Sequence, residues 1–292
     1  MPDLEPVPDL DTAPLFTPLR TELTALLRDL EPADWDAPTV AGAWRVRDIV
    51  AHLLDGELRT LAAHRDGHPL ATAGSVRDYT DVIALVQRLN AEGVTAGRHW
   101  SPRILIDLLD MSGAWMTAFI ATLDPEAPAL FAVAWAGEAV STNRFDTARE
   151  YTERWHHQMQ IRLAIGDRGQ HRTLLAERYA APLLETAVRV LPHAYGELAA
   201  VHGTTIAILV DSHADVLDAP WRRSWTLRRE NGSWRLYSGT AVDPTLRVTA
   251  GPNAWWRLFF NALAPEDVTD AFDIQGDRTL AEPLWRARSV MV

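Results

Sequence analysis

The stretch from Tyr151 to Gly166, YTERWHHQMQIRLAIG, sets a carboxylate and two adjacent imidazoles inside one helical pattern. Glu153 and His157 stand four residues apart, which on a helix puts both side chains on one face in adjacent turns. A carboxylate oxygen and an imidazole nitrogen can then converge on a single cation. His156 lies about 100 degrees further round, so only one histidine of the pair shares that face, with Glu153 and His156 as the alternative pairing. A third donor has to come from another helix. His52 is the candidate, because Ile49, Val50, Leu53 and Leu54 around it mark a core-facing stripe. Two histidines and one carboxylate leave coordination positions free, the arrangement of catalytic zinc. The same donors suit non-haem iron(II) or nickel. Asp48, one turn before His52, is either an acceptor that orients its imidazole or a first-turn acid favoured by the helix dipole.

Composition narrows the chemistry further. The chain has 292 residues and no cysteine, so disulfides, a thiol nucleophile and thiolate ligation by its own side chains are excluded. Any sulfur chemistry needs a small-molecule thiol. All 28 basic residues are arginine, which removes Schiff-base lysines and a lysine phosphate loop. A formal charge of -11 argues against nucleic acid as a partner. No G-x-S-x-G or glycine-rich nucleotide signature occurs. The sequence lacks a run of roughly 20 apolar residues and begins with no signal-like segment, which predicts a soluble, cytoplasmic protein with no membrane partner.

Helices must position these donors. Leu19, Leu23, Leu26, Leu27 and Leu30 give a first helix from Pro14 that Glu31-Pro32 ends. A second runs from about Arg45 to Arg65. A third has Ser75 as N-cap with Asp78 three residues on, and a fourth is opened by Ser101-Pro102 and stopped by Pro125. The fifth spans Asn143 to Ile165, with Gly166 as its C-terminal cap. Five helices without a strand imply an antiparallel bundle over 13–170, behind a loose, acidic, proline-rich tail over 1–12. GDRGQHRT reads as a hinge. Residues 171–292 read as a smaller α+β domain: a helix from Leu175 to Leu191, the strand TTIAILV, a hairpin turned at Asn231-Gly232, the strand TLRVTA, the helix PNAWWRLFFNAL, the short strand FDIQGD and a helix over RTLAEPLWRARSVMV.

With those residues in place, the chain resembles the mycothiol-dependent maleylpyruvate isomerase family, within the broader DinB-like superfamily of metal-binding helical bundles. The segments that carry the resemblance are WRVRDIVAHLLDGE around His52 and ERWHHQMQIRLAIG around Glu153 and His157. FDIQGDRTLAEPLW is similar to the sterol-carrier-like domain that follows the bundle in that family. The resemblance implies a divalent metal, usually zinc, on His52, Glu153 and His157. It also implies mycothiol or bacillithiol as thiol cosubstrate and a small electrophilic substrate undergoing cis-trans isomerisation or S-transfer. Gln160 stands where many relatives carry an aspartate three residues after the ligand histidine.

Two other functions fit the residues: an iron(II) oxygenase on the same donors, and a non-catalytic carrier of an apolar ligand. The hairpin arginines Arg222, Arg223, Arg228, Arg229 and Arg235 read as a solvated sheet face, and one of them could clamp an anion. Trp255, Trp256, Phe259 and Phe260 read as core. His64, His68, His99, His171, His193, His202 and His213 show no ligand spacing and read as surface residues.

Overall fold

The computed structural model describes residues 4–68, 79–216 and 219–290. The chain forms two compact units, one of Asp11–Ala132 with Val140–His171, the other of Met1–Leu10, Val133–Ala139 and Arg172–Val292. The first is a helical bundle and the second an α+β unit, as the sequence predicts. Among the described residues no helix is long and apolar enough to cross a membrane.

The bundle consists of α1 (Phe16–Arg28), α2 (Val46–Thr60), α3 (Tyr79–Gly97), α4 (Pro102–Ile120) and α5 (Asn143–Ala164). The Ser75 cap expected for α3 lies outside the described residues. The starts of α4 and α5 have a side-chain acceptor at the cap. Ser101 Oγ accepts from the Ile104 amide at 3.3 Å, with Pro102 at the first position, and Thr142 Oγ1 accepts from Phe145 at 3.3 Å. Such caps satisfy amides that the helix itself leaves bare. α2 ends in a widened π turn over Leu61–Arg65, and α5 ends ahead of Gly166, whose φ of +62° suits glycine. Leu27, Ile49, Val50, Leu54 and Leu105 are fully enclosed and join α1, α2 and α4 in one core to which α5 adds Ile161. Burying each such side chain contributes about 1.5–3 kcal/mol before entropy is subtracted.

The α+β unit begins with α6 (Arg172–Leu175), α7 (Glu177–Ala187) and α8 (Leu191–Ala194), where the sequence suggests a single helix. The break has a cause: the indole of Trp221 donates to the Leu175 carbonyl at 3.0 Å, and Ala176 turns extended. Strands β1 (Glu5–Pro6), β2 (Thr205–Asp211), β3 (Arg222–Glu230), β4 (Ser233–Ser238), β5 (Leu246–Ala250) and β6 (Asp273–Gly276) form one sheet in the order β1-β4-β3-β2-β5-β6. β1 corrects the expected loose tail, since Glu5 and Pro6 pair with Ser238 and Tyr237 along the edge of β4. At the hairpin, Asn231 and Gly232 both have positive φ, +48° and +82°, as a two-residue turn between twisted antiparallel strands requires. Trp225, Ile208 and Val248 align across three strands on the inward face. Onto this unit's core pack α9 (Pro252–Phe259) and α11 (Glu282–Arg286), with α10 (Val268–Ala271), which buries none of its residues, between them in the chain, and Trp255, Trp256, Phe259 and Phe260 are buried as expected. The last helix is shorter than its sequence suggests. Beyond Arg286 the chain leaves helical geometry because Ser289 bonds both the Phe259 and Ala187 carbonyls at 2.8 Å; residues 291 and 292 of that segment lie outside the described residues.

Candidate metal centre

Helix α2 presents His52, and α5 presents Glu153 and His157 one turn apart. The ligand atoms these three residues offer all lie within 4.8 Å of one another. The rings of His52 and His157 meet edge to face at 4.7 Å between centroids. His157 Nε2 is 3.6 Å from Glu153 Oε2. That gap is too wide for a good hydrogen bond. Two ligand atoms held about 2.1 Å from one ion at the tetrahedral angle stand roughly 3.4 Å apart, so the spacing matches donors arranged around a cation.

Electrostatics in the cluster point the same way. Burial, and then the neighbouring His157, push the His52 pKa down to about 3, which keeps its imidazole neutral and its lone pair available. Burial works to raise the Glu153 pKa, but the approach of His157 and the fields of three imidazoles outweigh it and hold the carboxyl well below its usual range. His52 Nδ1 is buried without a hydrogen-bond partner, so no protein group competes with an ion for that nitrogen. An ionised carboxylate beside the neutral imidazole of His52 is a donor set in want of a positive charge.

The surrounding groups sort into those that orient the donors and those that do not. Gln160 Oε1 lies 2.8 Å from His157 Nδ1, and both side chains are buried. His156 stands outside the donor group although its ring lies 4.0 Å from that of His157: its Nδ1 meets the Thr152 carbonyl at 2.8 Å, and burial pushes its pKa down to about 3. Of the two readings of Asp48, the helix-terminal one holds. Its carboxylate accepts from the Arg45 amide at 3.1 Å and pairs with Arg98 at 3.2 Å, so it caps α2 and does not touch His52. Trp44, in the loop before α2, is a residue that spacing rules miss. Its ring lies 4.9 Å from that of His52 and 6.0 Å from that of His157. The only sequence signal is an aromatic just ahead of the His52 helix.

A second polar cluster in the bundle also escapes sequence reading. Glu57 on α2, Ser112 on α4 and Arg154 on α5 meet, with Ser112 Oγ donating to Glu57 at 2.5 Å and Arg154 Nε 3.3 Å from the same carboxyl. Arg154 also pairs with Glu150 at 2.6 Å and lies over the Phe16 ring at 5.1 Å. Burial raises the Glu57 pKa. His64 is partly buried and edge-on to Phe131 at 5.3 Å, and burial lowers its pKa, which corrects its reading as a surface histidine. In the α+β unit the hairpin arginines meet neighbours of their own unit: Arg222 pairs with Asp211, Arg223 with Glu177 and Arg228 with Glu230, while Arg229 lies over Trp234.

Comparison with known proteins adds an independent line. The family model described as the mycothiol maleylpyruvate isomerase N-terminal domain matches residues 16–162, which include all three candidate ligands. Among solved structures, the crystal structure of the mycothiol-dependent maleylpyruvate isomerase is similar at a TM-score of 0.51 and 12% identity, over 90% of this chain and 91% of that one. A mutant of that isomerase has a TM-score of 0.49 at 12% identity and the same coverage. At such identity the likeness speaks to the fold alone. No curated protein sequence matches the chain.

Proposed function

The chain belongs to the mycothiol maleylpyruvate isomerase family through its N-terminal domain, and from that premise we propose that it is a metal-dependent enzyme that uses a low-molecular-weight thiol. The observation that carries this reading is the convergence of His52, Glu153 and His157 within 4.8 Å, from two helices of one bundle. Zinc fits the donor set best: two neutral imidazoles and one carboxylate, with room for a further ligand. When bound, the ion lowers the pKa of a coordinated thiol and so keeps it nucleophilic at neutral pH. Because the chain has no cysteine, the sulfur has to be supplied by a cosubstrate. Mycothiol is the first candidate and bacillithiol the second, acting on a small electrophile by cis-trans isomerisation or S-transfer in the cytoplasm.

The protein groups have distinct tasks in this reading. His52, Glu153 and His157 hold the ion, and Gln160 fixes the orientation of His157. Trp44 packs its ring beside both histidine rings, 4.9 Å from that of His52 and 6.0 Å from that of His157. The test is elemental analysis of native protein purified without a histidine tag, followed by an ultraviolet assay of maleylpyruvate isomerisation with and without mycothiol. Near-stoichiometric zinc together with thiol-dependent turnover is the expected result. Oxygen uptake by iron-loaded but not zinc-loaded protein would replace it with the oxygenase reading. No metal after reconstitution with zinc, iron or nickel would leave a ligand-binding protein.

A further inference from the structure

We infer that Gln160 is a positioning residue of the metal centre: it selects the tautomer of His157, and by being neutral it leaves the loaded site with a net positive charge that suits an anionic further ligand. The inference rests on the proposed metal reading and goes beyond it to the kind of ligand the site takes.

The geometry carries the first half. Gln160 Oε1 is 2.8 Å from His157 Nδ1, in a contact where both residues are buried and water cannot substitute as acceptor. An amide oxygen can only accept, so Nδ1 carries the proton and Nε2 is left bare. Nε2 is the atom that lies 3.6 Å from Glu153 Oε2 and faces the other donors. With the opposite tautomer, Nε2 would point a proton into the cluster and His157 could not ligate.

Charge carries the second half. The donors contribute two neutral imidazoles and the single negative charge of Glu153. A divalent ion therefore leaves the site at +1. A carboxylate in the place of Gln160 would supply the same acceptor but bring the total to zero, and the field favouring a thiolate over a neutral ligand would be lost. A glutamine keeps the acceptor and preserves that field. The second ligand-bearing helix thus encodes both the metal and the sign of what binds to it.

Two variants separate the halves. Gln160→Leu removes the acceptor at similar volume, and Gln160→Glu keeps an acceptor but adds a charge. In metal-free protein, nitrogen NMR of the imidazoles should show His157 protonated at Nδ1 in the native chain and no longer held so in Gln160→Leu. By competition with a chromogenic chelator, Gln160→Leu should bind zinc about 10–100-fold more weakly. Gln160→Glu should bind zinc at least as tightly as the native protein, while its cobalt(II) form binds 2-mercaptoethanol thiolate about tenfold more weakly, read from the sulfur-to-cobalt absorption band. An Nε2-protonated His157 in the native chain, or zinc affinity unchanged in Gln160→Leu, overturns the positioning role. Equal thiolate affinity in Gln160→Glu overturns the charge argument. Failure of the native protein to bind any metal sinks the metal reading and the charge argument with it, and is told apart from failure of the positioning role by the NMR result.

Discussion

At the scale of single residues, the spacing of Glu153 and His157 was readable because a helix repeats every 3.6 residues and the surrounding apolar pattern fixed the register. His52 was readable for the same reason on a second helix. Trp44, the Gln160 contact and the true role of Asp48 were not, since each depends on where a loop or rotamer points in three dimensions. The structure sharpens one consequence. His156 has its Nδ1 against the Thr152 carbonyl at 2.8 Å and is not one of the three residues whose ligand atoms converge. His52→Ala and His157→Ala should therefore lose nearly all zinc, whereas His156→Ala should retain most of it and lose some thermal stability. Elemental analysis of the three purified variants checks this. An empty site in His156→Ala alone would put the wrong histidine in the cluster.

At the scale of elements, periodicity located the five bundle helices, and the Asn-Gly pair located the hairpin. What escaped were pieces decided by tertiary hydrogen bonds: the two-residue β1, the break before α7 and the early end of α11. The buried clasp across the helices escaped for a related reason. Glu57, Ser112 and Arg154 come from three helices, and no local pattern announces that they meet. Gly113, next to Ser112, has Arg20 Cδ only 2.5 Å from where a β-carbon would stand, so α1 and α4 approach closely beside the clasp. Arg154 is nearly enclosed and faces both Glu57 and Glu150. Arg154→Met would leave the buried Glu57 carboxyl without its cation, while Glu150 keeps Arg149 at 2.6 Å, and stranding Glu57 costs about 3–5 kcal/mol. The expected drop in melting temperature is roughly 10 °C, read by circular dichroism. Adding Glu57→Gln should recover part of the loss, because it removes the stranded charge. If Arg154→Met melts within a degree or two of the native protein, the clasp is structurally idle.

At the scale of the whole molecule, a bundle built around neutral histidines makes stability depend on pH in a defined direction. In the unfolded chain a histidine takes a proton near 6.5, whereas His52 and His156 in the folded protein do so only near 3. Between those values the unfolded state binds more protons, so folding weakens as the pH falls. Each histidine held neutral contributes a slope of about 1.4 kcal/mol per pH unit in that window. Glu153, whose carboxyl is depressed, adds a loss of the same sign only at lower pH, below the ordinary carboxylate value. Glu57 acts oppositely: its raised pKa means that the folded state takes up a proton first, which offsets part of the loss in the acid range above that value. The denaturant midpoint of metal-free protein should therefore decline steadily between pH 7 and 5, and His156→Phe, which removes one neutral imidazole, should flatten that decline. Zinc should raise the midpoint at pH 7 and lose its effect on acidification, because protons and the ion compete for the same nitrogen lone pairs. A midpoint independent of pH over that interval would mean that the two histidines are charged in the folded protein, and that the cluster is less closed to water than its geometry indicates.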